Sequence, residues 1–156
     1  MDVCPLRCLP VQSLGEGWRE KSRRAPCFRY APDVPSNPQI IVVDDDDAIR
    51  EIVVRLTQET VPQAKISALA NAREALDLIK DHGADLLITN FRMPGMDGPE
   101  LVRQLRAREF VAPVIMVSGN PEAEKRGQAA GITRFVAKTD VAAELPRALL
   151  SLLEAA

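Results

Sequence analysis

The chain has 156 residues, enough for one domain with a real core and too few for two ordinary ones. Hydrophobic residues make up 46% and charged residues 27%, which excludes wholesale disorder, and a formal net charge of -2 excludes a global attraction to nucleic acid or to anionic membranes. Prolines and charges interrupt the N-terminus, so no stretch has the sustained apolar run of a membrane helix or secretory signal, and the expected setting is the cytoplasm. Cys4, Cys8 and Cys27 are an odd set confined to the start of the chain. They read as unpaired thiols, because a zinc site opened by Cys4 and Cys8 lacks nearby ligands and His82 is the only histidine.

Residues 1 to 38 hold six of the twelve prolines and a basic cluster from Arg19 to Arg24 without apolar periodicity, and are expected to form a flexible arm. From Gln39 onward short apolar runs alternate with helical patterns. Ile40 to Val43 reads as a strand, after which Ile49, Ile52, Val53 and Leu56 recur at helical spacing. Lys65 to Leu69 is a weaker strand, and Ala72, Ala75, Leu76 and Ile79 mark a helix to about Lys80. Leu86 to Thr89 is the third strand, and Pro99 sits where a first helical turn tolerates it. Val114 to Val117 is the fourth strand, with Asn120 and Pro121 expected to cap and open the next helix. Ile132 to Ala137 is the fifth strand, and a final helix runs toward Leu153. Pro146 either kinks that helix or lies in the first turn of one beginning near Ala143.

Five strands alternating with five helices predict an α/β fold, a doubly wound five-stranded parallel sheet with helices on both faces. In such a sheet ligands bind beyond the carboxyl ends of the strands. Asp44 and Asp45 follow the first strand, Asn90 ends the third, Ser118 the fourth and Lys138 the fifth. Two carboxylates supply hard oxygen ligands suited to Mg2+. A hydroxyl and an ammonium suit a phosphoryl group.

These residues, with the segment Asn90-Phe-Arg-Met-Pro-Gly-Met-Asp-Gly98, closely resemble the receiver domains of bacterial two-component systems, stand-alone chemotaxis regulators among them, from about Gln39 to the C-terminus. The resemblance implies the flavodoxin-like strand order 2-1-3-4-5. It makes Asp45 a direct Mg2+ ligand, Asp44 a ligand through water, and the carbonyl of Arg92 a third contact. Ser118 and Lys138 would meet phosphoryl oxygens, and Phe135 stands where the family has an aromatic that turns inward on activation. A sensor histidine kinase or another signalling protein is the implied partner, through the face formed by the fourth helix, fifth strand and fifth helix. Nucleic-acid and membrane partners are not expected. With the chain ending after the fifth helix and no helix-turn-helix pattern, no output domain is expected either.

The sequence departs from the family at Asn90, where the family has the aspartate that accepts the phosphoryl group. A carboxylate can attack phosphorus, whereas a carboxamide cannot. Thr89 is a poor substitute, since neighbouring strand residues point to opposite faces. Thr139 stands where the family usually has proline, and a trans bond with a shifted loop is expected. Asp46 and Asp47 read as a solvated helix start. Three functions fit: a phosphorylation-independent, non-enzymatic receiver with weak Mg2+ binding; an ordinary receiver carrying an introduced Asp-to-Asn substitution; and a Mg2+-dependent phosphatase using Asp44-x-Asp46.

Overall fold

The computed structural model describes residues 36–155. The three cysteines, and all but the last three residues of the arm expected over residues 1 to 38, therefore lie outside the described residues. Pro38, assigned to that arm from sequence, belongs to the folded domain: it is buried, and its carbonyl accepts the N–H of Lys65 at 2.9 Å.

Five strands, β1 (Gln39–Val43), β2 (Lys65–Leu69), β3 (Leu86–Asn90), β4 (Val114–Ser118) and β5 (Arg134–Ala137), form one sheet in the order β2-β1-β3-β4-β5. Every pairing is parallel, from Gln39 against Lys65 at one edge to Ser118 against Ala137 at the other. The crossovers are α1 (Asp47–Thr60), α2 (Ala72–His82), α3 (Gly98–Arg106) and α4 (Ala123–Ala130), and α5 (Val141–Glu154) closes the domain.

Side-chain alternation along the strands sorts the core into two layers. Ile40, Val42, Leu86, Ile88, Ile115 and Val117 face α1 and α5, meeting Val53, Leu145, Leu149 and Leu153. Ile41, Val43, Leu87 and Val114 face the other way, onto Ala75, Leu76, Ile79, Leu101 and Val102 of α2 and α3. The central strands β3 and β4 are buried throughout, as the continuous apolar runs require, while the edge strands β2 and β5 are partly exposed.

Local chemistry fixes the helix ends. Asp46 caps α1 through the N–H groups of Ala48 and Ile49, Asn71 caps α2 through Glu74, and Asp97 caps α3 through Glu100 with Pro99 in the first turn. Gly83 ends α2 at φ 72°, so that helix continues past Lys80 to His82.

Three boundaries differ from the sequence reading. The oxygens of Asn120 accept the N–H groups of Glu122 and Ala123 and close a turn around Pro121, so α4 begins only at Ala123 and has no side-chain cap. β5 begins at Arg134 rather than Ile132, because the N–H groups of Gly131 and Ile132 still close the end of α4 on the carbonyl of Gly127. α5 begins at Val141, two residues before Ala143, which places Pro146 inside the helix. Proline there removes the bond to the carbonyl of Ala142, and that residue is exposed to water. The described residues contain no cis peptide bond, and Lys138–Asp140 form a turn of 3-10 helix around Thr139.

Candidate functional site

The carboxyl ends of β1, β3, β4 and β5 bring Asp44, Asp45, Asn90, Ser118 and Lys138 to one rim of the sheet. Their positions follow from elements already described: β1 stops as α1 is capped by Asp46, and β3 stops where the chain turns toward α3. Asp44 is buried at 3% exposure and Asp45 is exposed. Asp44 is held from three directions. Its Oδ1 accepts the N–H of Asp46 at 2.9 Å, its carbonyl accepts Arg50 Nη1 at 2.7 Å, and its Oδ2 lies 3.6 Å from Lys138 Nζ.

Asn90 stands at the centre of this group. Its Nδ2 donates toward Asp44 Oδ1 at 3.2 Å, Asp45 Oδ1 at 3.1 Å and the carbonyl of Arg92 at 3.0 Å, while its Oδ1 accepts the N–H of Phe91 at 2.7 Å. The reverse amide orientation would set an oxygen against three acceptors and an NH2 against a donor, so the chemistry permits one arrangement. No buried side-chain nitrogen or oxygen among the described residues lacks a partner.

The electrostatics are unbalanced. Two carboxylates face one ammonium and a neutral amide. Burial is the largest influence on Asp44 and raises its carboxyl above the ordinary value, with Asp45 and Asp46 adding to the rise. The hydrogen bond from Asp46 and the charge of Lys138 oppose it without cancelling it. Asp44, Asp45 and the Arg92 carbonyl are oxygen donors of the kind Mg2+ takes, and they converge on a point held by the amide nitrogen of Asn90.

The loop after β3 is shaped by close contact. A Cβ on Gly98 would lie 2.1 Å from the carbonyl oxygen of Asn90, so a side chain there would push the loop off the site. Gly98 also donates its N–H to the carbonyl of Phe91 at 2.9 Å, and Gly95 adopts φ 82°. The Met-Pro-Gly-Met-Asp-Gly segment therefore has a steric reason beyond turn preference.

Ser118 is buried, and its Oγ accepts the N–H of Asn120 at 3.1 Å. Phe135 is half-buried beside Phe91, Met116 and Ala123. The hydroxyl of Thr89 bonds to the carbonyl of Asn90 at 3.1 Å, apart from the acidic pair. Asp46 Oδ1 accepts the N–H groups of Ala48 and Ile49 at the start of α1.

The sequence reading missed two arginines. Arg50 braces Asp44 from α1, and its ion pair with Asp47 at helical spacing was a usable local signal. Arg126 reaches from α4 to Asp97 Oδ2 at 3.0 Å, with its guanidinium 5.0 Å from the centre of the Phe91 ring. Its partners are distant in sequence, so no local pattern could have found it. A hollow lined by Phe110, Val111, Pro113 and Leu152 lies at the opposite end of the strands.

The family profile described as the response regulator receiver domain matches residues 40–150. The chain belongs to the response-regulator receiver family. It is 32% identical over 117 residues to the response regulator MprA of Mycolicibacterium vanbaalenii, a match covering 74% of this chain and 50% of MprA. It is also 32% identical over 126 residues to the sensory/regulatory protein RpfC of Xanthomonas campestris, covering 77% of this chain and 17% of RpfC. The receiver thus spans half of one relative's length and a small part of the other's. Among solved structures, the chemotaxis protein CheY4 of Vibrio cholerae superposes with TM-score 0.66 at 27% identity, covering 74% of this chain and 98% of that one. The receiver domain of NtrX from Brucella abortus does so with TM-score 0.68 at 26% identity, covering 75% and 99%. The strand order and flavodoxin-like architecture expected from sequence are those of this family. The receiver is a module of two-component signalling. No helix among the described residues is long and apolar enough to cross a membrane.

Proposed function

We propose that this receiver works without being phosphorylated, as a non-enzymatic module that acts by docking onto another signalling protein. The observation that carries the reading is Asn90, a carboxamide hydrogen-bonded through both its nitrogen and its oxygen at the position where the family forms an acyl phosphate. Acyl-phosphate formation needs a carboxylate oxygen to attack phosphorus. The amide oxygen carries no full charge and is engaged by the Phe91 N–H.

In this reading Ser118 and Lys138 are phosphoryl contacts without a phosphoryl group to hold, and Lys138 pairs with Asp44 instead. Asp44, Asp45 and the Arg92 carbonyl would hold Mg2+ only weakly, because the set has one acid fewer than the family's. The docking face is that of α4, β5 and α5. It contains Phe135 and the exposed Arg134 and Arg147, and a sensor histidine kinase or another signalling protein is its partner. Occupancy of the binding-competent form is then set by the sequence rather than by a phosphate.

A second reading, an ordinary receiver in which Asn90 is an introduced substitution, draws support from the remaining polar groups assembled around the amide. The codon in the source gene separates the two. The direct test incubates the protein and its Asn90→Asp variant with Mg2+ and a small phosphodonor and records intact masses. The protein should stay unmodified, and the variant should gain one phosphoryl group. A labelled wild-type chain would overturn the proposal.

A further inference from the structure

We infer that the Asn90 carboxamide is a built-in substitute for a divalent cation, tying the end of β1 to the loop after β3 so that the site keeps its shape without metal. The inference rests on the reading of Asn90 as the natural residue of a phosphorylation-independent receiver, and it adds what the amide does there. One nitrogen meets oxygens from Asp44, Asp45 and Arg92, which belong to two separate segments. A cation is the usual means of holding two carboxylates and a carbonyl around one point, because each would otherwise repel the next. Here two N–H bonds are shared among the three acceptors.

The tie is fixed at both ends. On the amide side, the Phe91 N–H holds Oδ1 at 2.7 Å and sets the plane of the group. On the acid side, Arg50 and the Asp46 N–H hold Asp44. An amide carries no net charge and cannot neutralise two carboxylates as a dication would. The ammonium of Lys138, 3.6 Å from Asp44 Oδ2, supplies one compensating charge. For Mg2+ to enter, the amide must first leave its three acceptors. The wild-type site is therefore expected to bind Mg2+ at least ~10-fold more weakly than an Asn90→Asp site, which offers a third negative charge and no competing donor.

The test is thermal unfolding of the full chain and of Asn90→Asp and Asn90→Ala, each with excess EDTA and with enough MgCl2 to saturate Asn90→Asp. The wild-type Tm should rise with Mg2+ clearly less than that of Asn90→Asp. Asn90→Asp should melt several degrees lower in EDTA and recover in Mg2+. Asn90→Ala should also melt lower in EDTA and become Mg2+-responsive, because the three oxygens have lost their donor; a side chain that merely filled space would leave no such metal response. A nitrogen–proton correlation spectrum gives a second readout, in which the Asn90 side-chain signals should move only at Mg2+ concentrations well above those that saturate Asn90→Asp. A wild-type Tm that rises with Mg2+ as much as that of Asn90→Asp would overturn the inference, as would an alanine variant as stable as wild type in EDTA. Neither result would bear on whether the wild type takes up a phosphoryl group, which intact mass decides separately.

Discussion

Asp44 pays for its position at the site, since a buried carboxylate beside Asp45 is held above its ordinary pKa chiefly by loss of water. The consequence for stability has a definite sign. Below the ordinary carboxylate range Asp44 is protonated in both folded and unfolded chains and contributes nothing. As pH rises, the unfolded chain ionises first and the folded chain keeps its proton, so stability falls until pH passes the raised folded value. At neutral pH the charge is a standing cost. Asp44→Asn keeps an acceptor oxygen and removes the charge, so its Tm should exceed that of the wild type by a few degrees near neutrality, with the gap closing in acid. Parallel Tm curves against pH, or a less stable variant near neutrality, would show that the Lys138 pair outweighs burial.

Among the α-helices of the described residues, α4 is the shortest. It is eight residues long, lacks a side-chain cap, and buries only Ala123, Gly127 and Ala130. Arg126 compensates from its surface by bonding Asp97, which caps α3, and by lying over the Phe91 ring. An exposed ion pair contributes about 0.2–1 kcal/mol and an exposed cation–π contact about 0.5–1 kcal/mol. Arg126→Ala should therefore raise hydrogen exchange in α4 several-fold while leaving α1 and α2 unchanged. Unaltered exchange in α4 would mean that its backbone packing suffices.

The strands and most helices could be read from the sequence because they depend on local patterns: unbroken apolar runs at β1, β3 and β4, helical spacing at α2, and Gly83 after His82. The end of α4 could not, because Ile132 looks like strand by composition and is held instead by the Gly127 carbonyl. The candidate site residues stood out as polar groups at strand ends. What Asn90 bonds to was not, since Asp44 and Asp45 lie more than forty positions away in the chain.

At the scale of the whole molecule, two packed layers hold one parallel sheet, and the rim where Asn90 sits borders the carboxyl ends of β4 and β5, where Ser118 and Lys138 stand, with Phe135 further back along β5. A conformational change on the α4, β5 and α5 face requires something that binds its two states unequally. In the proposed reading phosphate is not that agent. The backbone amide spectrum of the protein, recorded with and without a small phosphodonor in the presence of Mg2+, tests this directly, with Asn90→Asp as the comparison. The expected result is that wild-type signals from α4, β5 and α5 superimpose in the two conditions, while those of the variant shift; wild-type shifts across that face on adding the phosphodonor would contradict a phosphorylation-independent receiver.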